Sequence, residues 1–272
     1  MTRSTVGSLI ATISIALVAG CGSDSPSGPS SHTLDLGAVI SEMSIGRVSS
    51  VPGASTVISM PSVAGVPTIV PSACTFSPTL QGFTCPTATS AGLTFDVSYF
   101  LYDASGHAQS QADANTTASV RTVVDAKGTV TLPQSSGISG TVVVADHSDM
   151  TMTGLLTSTH TLNGNGTSHY DLTLSGTPTV HATIDMTTAT KDVVFAVQSD
   201  GSNPPWPSSG TITTDSKNVT NLGSIGSVTT TSHAVITFNG TSTATIVLST
   251  SASSTVTTCK IDLTGKTAPV CS

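Results

Sequence analysis

Side-chain parity constrains this chain more than any other feature. Leu93, Phe95, Val97, Tyr99 and Leu101 alternate with Thr94, Asp96 and Ser98. Tyr170, Leu172 and Leu174 alternate with His169, Asp171 and Thr173; Val180, Ala182, Ile184 and Met186 alternate with His181, Thr183 and Asp185. A period of two fits a strand with one covered and one solvated face, and it does not fit a helix. The solvated positions carry hydroxyls more than charges, because charged residues make up only 8% of the chain. Thr and Val suit such strands.

Turn signals punctuate the pattern at Asp125-Ala126-Lys127-Gly128, Asn163-Gly164-Asn165-Gly166, Ser175-Gly176-Thr177-Pro178 and Asn239-Gly240. Short strands separated by such signals predict a mainly β fold, an antiparallel meander of about ten or more strands. The meander is expected to form one curved or partly closed sheet, with a β-sandwich as the alternative. Facing residues of a hairpin share a face, so apolar must meet apolar. That rule sets Leu174 against Val180 and Leu172 against Ala182. At Asn239-Gly240 it favours a three-residue turn, with Ile236 against Ala244 and Ala234 against Ile246. Leu36, Val39, Ile40 and Met43 follow helical spacing and predict one short helix near residues 35–46. Asp200 to Pro207 holds three prolines and the only tryptophan, Trp206, and reads as a long loop. Trp206 is a candidate ligand contact or a cap on one end of the core.

The amino terminus carries a different kind of information. Arg3 is followed by an apolar run, Val6 to Val18, which closes on Leu17-Val18-Ala19-Gly20-Cys21. The run is short of the ~18 residues a spanning helix needs and matches a signal-peptide core. Leu17 to Cys21 resembles the lipobox of bacterial lipoprotein precursors. The resemblance implies that residues 1–20 are removed and that the Cys21 thiol takes a diacylglyceryl group. It also implies a fatty acyl chain, such as palmitate, on the new amino terminus. Two or more chains would hold the protein stably at a membrane, at ~0.8 kcal/mol per buried CH₂. Gly22, rather than aspartate, follows the cysteine, which favours the outer membrane. Residues 21–31 are rich in Ser, Gly and Pro and read as a flexible tether. Residues 32–272 then form a single β-rich domain.

Four further cysteines, Cys74, Cys85, Cys259 and Cys271, sit in a chain expected to reach an oxidising compartment. Their spacing favours Cys74–Cys85 and Cys259–Cys271, each stapling a hairpin, and it lacks the C-x-x-C pattern of zinc sites. Eight basic and fifteen acidic residues give a net charge of −7, or −8 once Arg3 leaves with the leader. No basic stripe exists, so a nucleic-acid partner is not expected.

The sequence holds no G-x-S-x-G, no H-E-x-x-H, no P-loop and no dinucleotide fingerprint. Asp146-His147-Ser148-Asp149 reads as a turn, and adjacent side chains there cannot form a relay. A loop at residues 163–166 would set His160 against His169 as the start of a metal site, but parity favours the neighbouring register. That register turns Met150, Met152 and Leu156 inward, puts His160 inside near Tyr170, and lets His169 meet Asp185 outside. No catalytic residue, metal or cofactor is expected. The expected role is a lipid-anchored, non-enzymatic envelope protein, structural or binding, whose partner beyond the membrane the sequence does not name. The alternative is a carrier of lipid or another apolar ligand in a curved sheet, lined by Met150, Met152, Leu156, Tyr170, Leu172 and Ile184.

Overall fold

The computed structural model describes residues 72–90, 92–135, 138–175, 179–196, 206–221, 223, 226–263 and 270–272. The leader, Cys21, the tether and the helix expected at 35–46 lie outside the described residues. The fold is mainly antiparallel β. Its strands are β1 (Thr75–Ser77), β2 (Gly82–Thr84), β3 (Ala88–Ser90), β4 (Leu93–Tyr102), β5 (Ala108–Gln109), β6 (Ser119–Ser135) and β7 (Ile138–Thr153). They continue as β8 (Thr159–Ser175), β9 (Val180–Ala196), β10 (Ser209–Asn221), β11 (Ser227–Thr237), β12 (Thr243–Thr250), β13 (Ser253–Asp262) and β14 (Val270–Cys271). All belong to one sheet, in the order β1-β2-β4-β6-β7-β8-β9-β10-β11-β12-β13-β14, with β3 and β5 pairing β4. The two ends of that order do not pair, so the sheet is not a closed barrel. Among the described residues no helix is long and apolar enough to cross a membrane.

Register explains why this sequence makes this sheet. One transverse row runs Phe83, Tyr99, Thr122, Met150, Gly164 and Thr190. It continues through Ile212, Ile236, Ile246, Cys259 and Cys271. Rows on either side extend the same face, and the buried apolar residues fall on it in three clusters. Phe83, Tyr99, Leu101, Val120, Met152 and Leu155 form one. A second, on β9 to β13, is built around Phe195, Ile212, Ile236, Ile246 and Ile261. Leu162 packs against both. The third holds Val142, Val144, Leu172, Leu174 and Ala182. Each fully buried Leu, Ile or Phe contributes about 1.5–3 kcal/mol of transfer free energy, so this face is the main source of stability.

Several sequence expectations are met. Leu174 faces Val180 and Leu172 faces Ala182. Both expected disulfides are present, Cys74–Cys85 and Cys259–Cys271, each with Cα atoms 4.0 Å apart. They close β1–β2 and β13–β14, the hairpins at the two edges of the sheet.

Four expectations need correction. Residues 125–128, 146–149 and 163–166 are not turns; they lie inside β6, β7 and β8. Asn-Gly and Asp-Gly signals are short-range, and here the glycines serve close approach instead. A Cβ on Gly164 would come 2.3 Å from the Asp149 carbonyl and 2.6 Å from Met150 Sδ. Gly128, at φ +152°, would place one 2.1 Å from the Gly92 carbonyl. Because β8 is continuous, His160 and His169 share one strand, and His160 is not near Tyr170. Leu155, not Leu156, is the inward residue: Leu156 is 41% exposed, whereas Leu155 is buried. At Asn239-Gly240, Ile236 faces Ile246 and Ala234 faces Leu248, two residues beyond the expected register but on the same face. The connection is longer because Phe238 is buried, and the Asn239 side chain accepts from Thr241 N (3.1 Å) and Thr241 Oγ1 (2.7 Å).

Candidate functional site

The opposite face of the sheet is polar, and its most organised feature crosses the strands. On the core side, three-residue stretches at 125–127, 145–147, 167–169, 185–187, 215–217, 231–233 and 249–251, with Asp96, line a groove of about 1110 Å³. Eight adjacent strands contribute, and the middle residues Ala126, Asp146, Ser168, Met186, Ser216, Ser232 and Thr250 stand on the core face, buried or half-buried. In each stretch the two outer residues point to one face and the middle one to the other. The outer residues form two polar rows on the solvated face. The first runs Asp96, Asp125, His147, Thr167, Thr187, Asp215, His233 and Ser249. The second includes Lys127, Ala145, His169, Asp185, Lys217 and Thr231.

Three imidazole–carboxylate pairs punctuate these rows. His147 Nδ1 lies 2.8 Å from Asp125 Oδ1, His169 Nδ1 2.7 Å from Asp185 Oδ1, and His233 Nδ1 2.7 Å from Asp215 Oδ1. In every pair the two residues stand directly opposite on neighbouring strands. The expected His169–Asp185 contact is therefore present. The other two are not legible locally: Asp125 and His147 fall in segments that read as turns, and Asp215 and His233 meet only through the β10–β11 register. All six side chains are between two-fifths and about three-fifths exposed, so each pair contributes modestly to stability. Lys127 and Lys217 partly offset the carboxylates of these rows.

Further along the solvated face, Arg121 Nε and Nη2 donate to the two oxygens of Asp149 at 2.7 and 2.6 Å. The guanidinium holds the Asp149 carboxyl below the usual range, and the carboxylate in turn raises Arg121. Of the expected Asp146–Asp149 group, therefore, His147 and Asp149 face outward with separate partners, while Asp146 and Ser148 share the other face.

Among the described residues, three buried polar atoms have no hydrogen-bond partner: Tyr99 Oη and both ring nitrogens of His160. Burial pushes the Tyr99 hydroxyl up to about 12 and lowers His160 from its ordinary value. His160 is inward, as expected, with no exposed surface, and stands across from Phe195.

Trp206 is half-buried just before β10. Its neighbour Pro207 is buried and accepts from Gly240 N at 2.9 Å. This end of the loop docks on the β11–β12 connection, and Trp206 does not line the groove. Nor do Met150, Met152, Leu156, Tyr170, Leu172 or Ile184, the residues an apolar cavity was expected to use. Comparison with family models, curated proteins and solved structures found no match to this chain.

Proposed function

We propose that this protein is a lipid-anchored, non-enzymatic module of the bacterial cell envelope, held at the outer membrane through Cys21. The run Leu17-Val18-Ala19-Gly20-Cys21, placed at the end of an apolar leader, carries this reading. Two disulfides at the sheet edges fit export to an oxidising compartment. The exposed polar rows support binding over catalysis. Thr167 and Ser249 stand across from His147 and His233, which gives two lines of carboxylate, imidazole and hydroxyl. Neither hydroxyl is bonded to its imidazole among the described residues. The surrounding backbone N–H groups are committed to strand pairing, which leaves no oxyanion donors at either position. Polar rows that cross this many strands suit a polar, extended partner.

Labelling cells with a radioactive fatty acid tests the anchor. The wild-type protein is expected to carry label and to sediment with membranes. Cys21→Ser is expected to carry none and to keep its leader. Label retained by Cys21→Ser, or an unlabelled wild type whose mature chain begins elsewhere, contradicts the reading.

A further inference from the structure

The three imidazole–carboxylate pairs share a chemistry but differ in their neighbours. His147 on β7 faces Thr167, and His169 on β8 faces Ala145, two residues along the same pair of strands. The histidines are thus diagonal neighbours on one face, where side chains about 7–8 Å apart at the backbone come within reach of one another. Asp125 holds His147 Nδ1 from the β6 side, and Asp185 holds His169 Nδ1 from the β9 side. A carboxylate only accepts, so in the neutral ring the Nδ1 carries the proton and Nε2 keeps its lone pair. With each Nδ1 edge turned outward to its aspartate, the edge bearing Nε2 leans over the β7–β8 pair from either side.

We propose that His147 and His169 form a two-imidazole site for a divalent late first-row transition cation such as Zn²⁺. Imidazole nitrogen suits zinc, copper and nickel. A ligating histidine characteristically donates its other ring N–H to a carboxylate, the arrangement Asp125 and Asp185 supply in duplicate. Among the described residues no three His, Cys, Asp or Glu side chains converge on one point. The site is therefore open, with the remaining positions taken by water or by a donor atom of a partner on this face. Both side chains are solvent-accessible, at 43% for His147 and 49% for His169, so a cation reaches them without rearrangement. This site does not depend on the lipid anchor.

His233 provides an internal control. Its Nδ1 is held by Asp215 in the same way, but Ser249 stands across from it and neither β10 nor β12 carries a histidine. Calorimetric titration of the untagged full-length chain with Zn²⁺ near neutral pH tests the proposal. One ion per chain is expected. His147→Gln and His169→Gln should each weaken binding by about tenfold or more, Asp125→Asn by about tenfold, and His233→Gln not at all. Circular dichroism on each variant confirms that the sheet is intact; all four substitutions are on the solvated face. No binding by the wild type below millimolar Zn²⁺ would overturn the site. So would binding that survives the double substitution His147→Gln/His169→Gln, or that His233→Gln weakens equally.

Discussion

Replacing Cys259 and Cys271 together by alanine is expected to lower the unfolding free energy by about 3 kcal/mol. The bond closes a loop of 12 residues, and cross-links of that size restrict the unfolded chain by roughly this amount. For a domain of this size the melting midpoint should fall by about 6–12 °C. A second effect follows from position. β14 pairs with β13 at only two residues, Cys259 with Cys271 and Lys260 with Val270. Ser272 adds a reciprocal pair of backbone bonds to Thr258. Without the disulfide so short a strand has little to hold it. Its release bares the β13 edge, where Val256 is already exposed, and exposed edges template association. Thermal melts of the double variant, with light scattering alongside, check both parts. A midpoint within about 2 °C of wild type would show that the bond is not a determinant of stability.

His160→Leu is expected to stabilise the protein and to remove part of its acid sensitivity. Both ring nitrogens are buried without partners, and an unsatisfied buried polar group costs about 1–3 kcal/mol. Burial is the only cause that lowers this group from 6.5, its ordinary value. The folded state therefore resists protonation where the unfolded state accepts it. Above about pH 6.5 neither state binds the proton, and the residue adds no pH dependence. As pH falls below that value the unfolded chain gains the proton first. Stability then declines by up to about 1.4 kcal/mol per pH unit, until the lowered folded value is reached. Denaturant midpoints measured across that range for wild type and His160→Leu should diverge on the acid side. Parallel curves would mean that the imidazole is satisfied or accessible.

Face was more legible in the sequence than position along the strand. Parity placed Leu172, Leu174, Val180 and Ala182 inside and His169 outside, because alternation follows directly from the pleat. The same rule put Ile236 on the correct face, although its partner is two residues further on. A shift of two preserves every face, so apolar matching cannot detect it. The lengths of β6, β7 and β8 were hidden for a related reason. Gly164 and Gly128 look like turn residues when read locally. Their role depends on Asp149 of a neighbouring strand and on Gly92 just before β4, which no local window of the sequence contains. Once residues 125–128 and 146–149 are read as turns, the Asp125–His147 pair cannot be found. Of the polar rows, only His169 and Asp185 were therefore legible. The orphaned nitrogens of His160 were legible as an inward histidine but not as an unsatisfied one.

Everything on the polar face depends on β7 and β8 running unbroken past one another in the observed register. Amide hydrogen exchange and cross-strand nuclear Overhauser contacts, measured on the isotope-labelled full chain, test this most directly. Slow exchange is expected through residues 145–150 and 162–168, with contacts joining His147 to Thr167 and Ala145 to His169. Rapid exchange at residues 163–166, with contacts joining His160 to His169, would mean that the segment is a turn after all and that the diagonal placement of His147 and His169 does not exist.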